Sequence, residues 1–86
     1  MARITIYGTR WCADCRRAKR FLEERGVRFA EVNIDEFPEA EEVVLKANNG
    51  RRKVPTILVD GRYFACSPFD PHRLADELKI PAKINS

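Results

Sequence analysis

The chain has 86 residues, a hydrophobic fraction of 44% and a formal net charge of +3. A chain of this length can bury only one hydrophobic core, so we expect residues 1–86 to form a single domain. Its hydrophobic fraction is ordinary for a globular protein, which argues against intrinsic disorder. No apolar run approaches the roughly 18 residues of a membrane span, and the N-terminus lacks an export-signal pattern. We therefore expect a cytoplasmic protein with no membrane partner.

The charge is distributed unevenly along the chain. Residues 1–30 carry a net charge of +5, residues 31–45 carry −6 and residues 46–86 carry +4. A nucleic-acid-binding protein usually shows a basic stripe with interleaved aromatic residues. No such motif is present, so we expect no nucleic-acid partner. The basic ends fit an electropositive surround for a thiolate or an anionic partner, although solvated helix faces would explain most of these charges in any protein.

The predicted elements, in chain order, are βαβαββα. Runs of β-branched and aromatic residues predict strands at residues 4–7, about 27–35, 56–59 and 62–65. Apolar residues at helical spacing predict helices at about 13–25, 38–48 and from 71 onwards. Pro81 should end the last helix, and residues 81–86 are expected to form a frayed tail. The order predicts an α/β fold with a mixed four-stranded sheet and helices on both of its faces.

Cys12 and Cys15 stand at the junction between the first predicted strand and the first predicted helix. A Cys-x-x-Cys pair at such a junction suits reversible dithiol–disulfide chemistry. Cys12 is expected at the helix N-cap, where unpaired backbone N–H groups and the positive end of the helix dipole stabilise a thiolate. We predict that Cys12 is the nucleophile that attacks a substrate disulfide. Cys15, packed inward, would resolve the mixed disulfide.

Two other interpretations of the cysteines are a metal site and a pair of core residues. A tetrahedral zinc site needs three or four protein ligands. Only Cys66 and His72 could add to the pair, and their spacing matches no common zinc pattern. In a reducing compartment, cysteines are more often catalytic or metal-binding than structural. The redox interpretation is therefore favoured.

Three motifs together resemble glutaredoxins of the thioredoxin fold superfamily, and most closely the mycoredoxin-type glutaredoxins. They are Trp-Cys-x-x-Cys-Arg-Arg, Val-Asn-Ile and Val-Pro-Thr, at residues 11–17, 32–34 and 54–56. The resemblance covers roughly residues 3–80 and implies a thioredoxin-like fold. It also implies a small dithiol thiol–disulfide oxidoreductase that reduces protein disulfides or mixed disulfides. The alternative is an iron–sulfur cluster carrier or binding module using Cys12 with a thiol cofactor, as in some glutaredoxin relatives.

The resemblance also implies the partners of the protein. These are disulfide-containing proteins and a reductant, either a low-molecular-weight thiol such as glutathione or a donor of the thioredoxin-reductase type. No tightly bound cofactor is expected, and we expect a monomer.

By the same resemblance, Pro55 would be a cis-proline that faces the cysteine pair and turns the backbone of Val54 outward. That backbone could pair with an extended peptide or a thiol tripeptide. The alternative for Pro55 is an ordinary proline at the entry to a strand. Arg52 is the best positional match to the cation that contacts the glycine carboxylate of glutathione, with a solvated loop as the alternative.

The segment that would hold the other end of glutathione falls on Ala65, Cys66, Ser67 and Pro68. Neither the glycines nor the acid of the Gly-Gly-Cys-Asp pattern of glutaredoxins is present there, which makes another donor a serious alternative. Cys66 is either a third thiol near the site or a small buried hydrophobic residue.

The residues that flank the cysteines have predicted roles of their own. Trp11 is expected to lie beside the exposed sulfur and offer an apolar contact to partners, with core packing as the alternative. Asp14 is favoured by the helix dipole but opposes a neighbouring thiolate. Arg10, Arg16 and Arg17 act in the opposite direction, so these charges are predicted to tune the acidity of the Cys12 thiol. A solvated acid without a redox role is the alternative for Asp14.

Overall fold

The computed structural model describes residues 3–79. The tail predicted at residues 81–86 and the helix stop predicted at Pro81 lie outside these described residues. The elements are β1 (Ile4–Gly8), α1 (Ala13–Glu24), β2 (Ala30–Asn33), α2 (Pro38–Ala47), β3 (Thr56–Val59), β4 (Arg62–Ala65) and α3 (Pro71–Leu78). The predicted order βαβαββα is confirmed. Within the described part of the chain, no helix has the length and apolar character needed to cross a membrane.

The four strands form one mixed sheet in the order β2-β1-β3-β4. Strand β1 is parallel to β2 and antiparallel to β3, and β3 is antiparallel to β4. Because β1 has a neighbouring strand on each side, its last residue, Gly8, lies near the middle of the row formed by the strand ends. The chain leaves the sheet there and enters α1, so this connection places the two cysteines at the centre of that end of the sheet.

Helices cover both faces of the sheet, as predicted. Alternate residues of a strand point to opposite faces. Ile4 and Ile6 therefore pack with residues of α1 and α3 in the larger core, whereas Tyr7 packs against the smaller core under α2. The buried residues of α1 share one face and are Cys15, Ala18, Phe21 and Leu22. The helical spacing of these positions predicted that face.

Strand β2 is shorter than the predicted strand at residues 27–35. At its start, Gly26 has a φ of 67°, a left-handed conformation that suits glycine, and the Val27 N–H bonds the Leu22 carbonyl at 2.9 Å. These residues therefore close α1 instead of extending the sheet. At its end, the Asp35 N–H bonds the Asn33 side chain at 2.9 Å and begins a turn.

Candidate active site

Cys12 is the N-cap residue of α1, with extended backbone angles of φ −84° and ψ 114°. Its Sγ accepts a hydrogen bond from the Cys15 N–H at 3.1 Å. This contact satisfies one of the backbone donors that the first turn of a helix leaves unpaired. The same thiol donates to the Val54 carbonyl, 3.6 Å away. The side chain is only half-buried, so its sulfur combines access to solvent with a hydrogen bond from the first turn of α1.

Cys15, one helical turn later, is buried and only 2% exposed. Burial raises the pKa of its thiol to about 12, and a hydrogen bond with Cys12 acts in the same direction. A hydrogen bond with the backbone of Thr9 opposes this shift. The Cys15 thiol therefore holds its proton at neutral pH. The two cysteines are chemically unequal, although both belong to one turn of the same helix.

The last residue of β1 makes room for this buried thiol. A Cβ placed on Gly8 would lie 2.6 Å from the Cys15 Sγ, a separation that real Cβ atoms do not show. The predicted first strand ended at residue 7, and no role was predicted for Gly8. A glycine four residues before the first cysteine of the Cys-x-x-Cys pair is the signal that could have revealed this contact.

The peptide bond between Val54 and Pro55 is cis, as the resemblance to glutaredoxins implies. Pro55 is buried, and the Val54 carbonyl faces the sulfur of Cys12. The Pro55 carbonyl accepts a hydrogen bond from the Cys66 N–H at 2.9 Å. The backbone of this loop thus connects Cys12 on one side with the end of β4 on the other.

A buried side-chain network that sequence analysis missed holds this loop. Thr56 is fully buried, and its hydroxyl donates to the Lys53 carbonyl at 2.7 Å. The Asn48 amide donates to the Thr56 hydroxyl at 3.0 Å and to the Val44 carbonyl at 2.8 Å. Asn48 is therefore more than a helix stop, because it ties the end of α2 to the residue after Pro55.

The last residue of β4 and the two residues that follow it differ in exposure. Ser67 is exposed and Ala65 is half-buried, whereas Cys66 is only 1% exposed. Burial raises the pKa of the Cys66 thiol, which approaches the Asp70 carbonyl at 3.9 Å. The structure therefore places the Cys66 side chain in the core and leaves its backbone beside Pro55. The Ser67–Pro68 peptide bond is also cis.

The charged groups predicted to act on Cys12 fall into two sets. Asp14 is half-buried and forms an ion pair with Arg17, at 3.1 Å between Oδ1 and Nη1. Arg10 and Arg16 are exposed and form no ion pair among residues 3–79. The negative charge closest in sequence to the cysteines is thus partly balanced by an arginine one turn away.

Arg52, predicted to contact a thiol cofactor, instead pairs with two carboxylates of its own chain. Its Nε lies 2.8 Å from the Glu41 carboxylate, and its Nη2 bonds the Asp35 carboxylate. The three side chains are about half exposed. A guanidinium that already has two carboxylate partners is a poorer site for an incoming carboxylate than a free one.

Trp11 is 86% exposed, the most exposed of the large hydrophobic side chains among the described residues. It lies in the turn directly before Cys12. The alternative of core packing for Trp11 is therefore wrong. Within residues 3–79, no group of three or more histidine, cysteine, aspartate or glutamate side chains is arranged to hold a metal ion.

The fold, the Cys-x-x-Cys pair at a helix N-terminus and the facing cis-proline together define a thioredoxin-fold thiol–disulfide oxidoreductase. More specifically, the chain belongs to the glutaredoxin family, whose model matches residues 4–64. The resemblance and the enzyme class predicted from sequence are confirmed.

Relatives and solved structures agree with this assignment. The glutaredoxin-like protein NrdH of Lactococcus lactis subsp. cremoris is 40% identical over 72 residues, which cover 84% of this chain and 94% of the relative. Mycoredoxin 1 of Corynebacterium glutamicum is 35% identical over 68 residues, covering 79% and 84%. The solved NrdH-redoxin of Escherichia coli, at 32% identity, covers 86% of this chain and 92% of its own, with a TM-score of 0.72. The iron–sulfur carrier alternative gains no support from these comparisons.

Proposed function

We propose that this protein reduces protein disulfides or mixed disulfides, with Cys12 as the nucleophile and Cys15 as the resolving thiol. The observation that carries the proposal is the inequality of the two sulfurs. Cys12 Sγ is half-buried and accepts a backbone N–H at 3.1 Å, while the Cys15 thiol is 2% exposed with a pKa raised to about 12. The Cys12 sulfur is thus accessible to a substrate disulfide, whereas the Cys15 thiol keeps its proton until the second exchange.

The reaction proceeds in two exchanges. In the first, the Cys12 thiolate attacks one sulfur of the substrate disulfide, forms a mixed disulfide and expels the other sulfur as a thiolate that takes up a proton. In the second, Cys15 loses its proton and attacks the Cys12 sulfur, which releases the remaining substrate sulfur as a thiol. The substrate disulfide gains two electrons and two protons, and the two cysteines become a disulfide.

The contact between the two cysteines supports this order of events. Burial is the main cause of the raised pKa of the Cys15 thiol, and Cys12 adds to it through a hydrogen bond and through its charge. Once Cys12 is bound in a mixed disulfide, it carries no charge, and this contribution is lost. Cys15 then ionises more readily, at the step that requires its thiolate.

The surface around Cys12 supports a peptide substrate. The backbone of Val54, opposite the Cys12 sulfur, can pair with an extended chain in the manner of an added strand. Trp11, which directly precedes Cys12 and is 86% exposed, offers an apolar contact. We assign the backbone of Pro55 and residues 65–67 to the same binding surface.

For the reductant, we propose a donor of the thioredoxin-reductase type in preference to glutathione. Two observations support this choice: the segment 65–68 lacks the glycines and the acid expected for a glutathione site, and Arg52 is paired with Asp35 and Glu41. In addition, the structurally similar NrdH-redoxin of Escherichia coli has a thioredoxin-like activity profile.

A coupled assay tests both parts of the proposal. Oxidation of NADPH during reduction of a protein disulfide is measured with thioredoxin reductase, and separately with glutathione and glutathione reductase. We expect turnover with the first donor, its loss in Cys12→Ser and a trapped mixed disulfide in Cys15→Ser, detected by mass spectrometry. Cys66→Ala is the control and should retain turnover, because it changes a buried side chain and leaves the backbone of residue 66 in the binding surface. Turnover that survives Cys12→Ser would contradict the assignment of the nucleophile, and faster turnover with glutathione would contradict the assignment of the donor.

A further inference from the structure

The charges on the two sides of Cys12 are arranged differently. On the side of the Val54–Pro55 loop, Arg52 forms ion pairs with Asp35 and Glu41. On the side of α1, a surface groove of about 200 Å³ is lined by Ala13, Arg16, Arg17 and Arg20. We call it the α1 groove. It begins at the residue that follows Cys12, whereas the Arg52 guanidinium before the Val54–Pro55 loop is already paired with two carboxylates.

Positive charge in the α1 groove exceeds negative charge. Three arginines line it, and the nearby carboxylate of Asp14 pairs with only one of them, Arg17. Arg16 and Arg20 are exposed and have no ion-pair partner within the described part of the chain. Charges of one sign that line a concave surface raise the local concentration of the opposite charge. Guanidinium groups are also well matched to carboxylates because they can bond both oxygens.

The length of the α1 groove suits a short peptide segment. Residues 13 to 20 span about 10 Å along the helix axis, which equals the length of about three residues of an extended chain. Such a segment could enter the α1 groove while a neighbouring cysteine meets Cys12. A nucleic-acid strand is a weaker match, because the groove lies on two turns of a single helix and no aromatic residue lines it.

We propose that the α1 groove binds an acidic segment of the protein substrate, adjacent in sequence to the disulfide that Cys12 attacks. This inference rests on the proposed function and adds a substrate class to it. Arg16 and Arg20 are the residues that select the acidic segment. The interaction speeds the encounter more than it strengthens the complex, because exposed charges act mainly on the rate of association.

The test uses three disulfide substrates and two charge-reversal variants. Two peptides of the same length carry an identical central disulfide, flanked by glutamates in one and by lysines in the other. The third substrate is the neutral 2-hydroxyethyl disulfide. Rates of reduction by the fully reduced protein are compared for the wild type, for Arg16→Glu/Arg20→Glu, and for Arg3→Glu/Arg28→Glu. Arg3 and Arg28 are exposed, flank the end of the β1–β2 pair opposite Cys12, and give the control the same change in net charge.

The readout is the ratio of the rates for the acidic and the lysine-flanked peptide within each protein, because any change in the intrinsic reactivity of Cys12 cancels in this ratio. We expect the wild type to prefer the acidic peptide by about tenfold or more at low salt. The preference should shrink as the salt rises from about 0.01 M to about 0.15 M, where the Debye length falls from about 30 Å to about 8 Å. Arg16→Glu/Arg20→Glu should remove or reverse the preference, and the control variant should keep it.

Several outcomes would overturn the inference. A wild-type ratio near one, or an equal loss of preference in the control variant, would show that the α1 groove does not select acidic segments. Inhibition by a single-stranded oligonucleotide that exceeds inhibition by a glutamate-rich peptide would assign the groove to nucleic acid. In each of these cases, continued reduction of the neutral disulfide would leave the proposed function intact. Failure to reduce any of the three substrates would contradict the proposed function and this inference with it.

Discussion

The buried sulfur of Cys15 lies so close to Gly8 that a Cβ at position 8 would come within 2.6 Å of it. The same Cβ would lie 3.3 Å from the Cβ of Cys15. Glycine is therefore required at the end of β1 for space, since β1 and α1 approach each other through these two residues. This close approach lets Cys15 be fully buried one turn away from the accessible Cys12.

Gly8→Ala should destabilise the reduced protein by about 1–3 kcal/mol, the usual range for overpacking in a core. It should also slow formation of the Cys12–Cys15 disulfide, because the added methyl group displaces the Cys15 sulfur. Urea unfolding measures the first effect and thiol quantification under mild oxidant measures the second. In a Cys15→Ala background the 2.6 Å contact does not exist, so Gly8→Ala should lower the free energy of unfolding by clearly less there. Equal costs in the two backgrounds would show that the contact is not the cause.

The stability of the reduced protein should fall at alkaline pH, and Cys15 should contribute to the slope. Its pKa is raised from an ordinary value of 9.0 to about 12 in the folded state by burial. As the pH rises above about 9, the unfolded chain releases this proton while the folded protein keeps it. The folded state then binds more protons, so the free energy of unfolding decreases with pH. Unfolding in urea with reductant, repeated between about pH 7 and about pH 11, measures the slope.

The matched variant for this pH dependence is Cys15→Ala. It should lose stability overall but show a shallower decline above about pH 9, because it lacks the buried thiol. The slope is the informative quantity, since the loss of packing shifts the curve at every pH. Parallel curves for the two proteins would contradict the assigned role of Cys15.

Local patterns predicted the features that depend on neighbours in sequence. The order of elements, the N-cap position of Cys12 and the inward face of Cys15 all follow from spacing within one or two turns. The pairing of Arg52 with Asp35 and Glu41 joins residues 17 and 11 positions apart, and no local pattern encodes it. The contact between Gly8 and Cys15 likewise requires the angle between β1 and α1. The sequence therefore predicts the chemistry of the two cysteines but not the contacts that Arg52 and Gly8 make around them.

Removing the carboxylate partners of Arg52 should raise the rate of turnover with glutathione as the reductant. In Asp35→Asn/Glu41→Gln, the guanidinium loses both charged partners and becomes available to a carboxylate of the donor. Exposed ion pairs are worth about 0.2–1 kcal/mol each. Loss of both pairs, about 0.4–2 kcal/mol in total, should therefore raise the glutathione-dependent rate by about twofold to about thirtyfold. Glu42→Gln is the control, because Glu42 is exposed on the same helix and forms no ion pair with Arg52. An unchanged rate in the double variant would show that these carboxylates do not limit the reaction with glutathione.

Removing the Thr56 hydroxyl should loosen the loop that faces Cys12. Thr56→Val keeps the shape of the side chain but leaves the Lys53 carbonyl and the Asn48 amide each without one partner. The expected loss is about 1–3 kcal/mol, the cost of unsatisfied buried polar groups. Thr56→Ser restores the hydroxyl and should retain most of the stability. Urea unfolding distinguishes the two variants. If Thr56→Val keeps the stability and Thr56→Ser loses it, the methyl group and not the hydrogen bonds would be responsible.

Trp11 should matter for protein substrates and not for folding. Because its side chain is 86% exposed, Trp11→Ala should change the free energy of unfolding by no more than about 0.5 kcal/mol. A protein substrate that covers the indole would lose an aromatic contact, so kcat/KM for a protein disulfide should fall about tenfold, equivalent to about 1.4 kcal/mol. A small disulfide such as 2-hydroxyethyl disulfide does not reach the indole and serves as the reference substrate. Trp11→Phe should recover part of the lost rate. If both substrates lose the same rate, Trp11 acts on Cys12 itself and not on the bound partner.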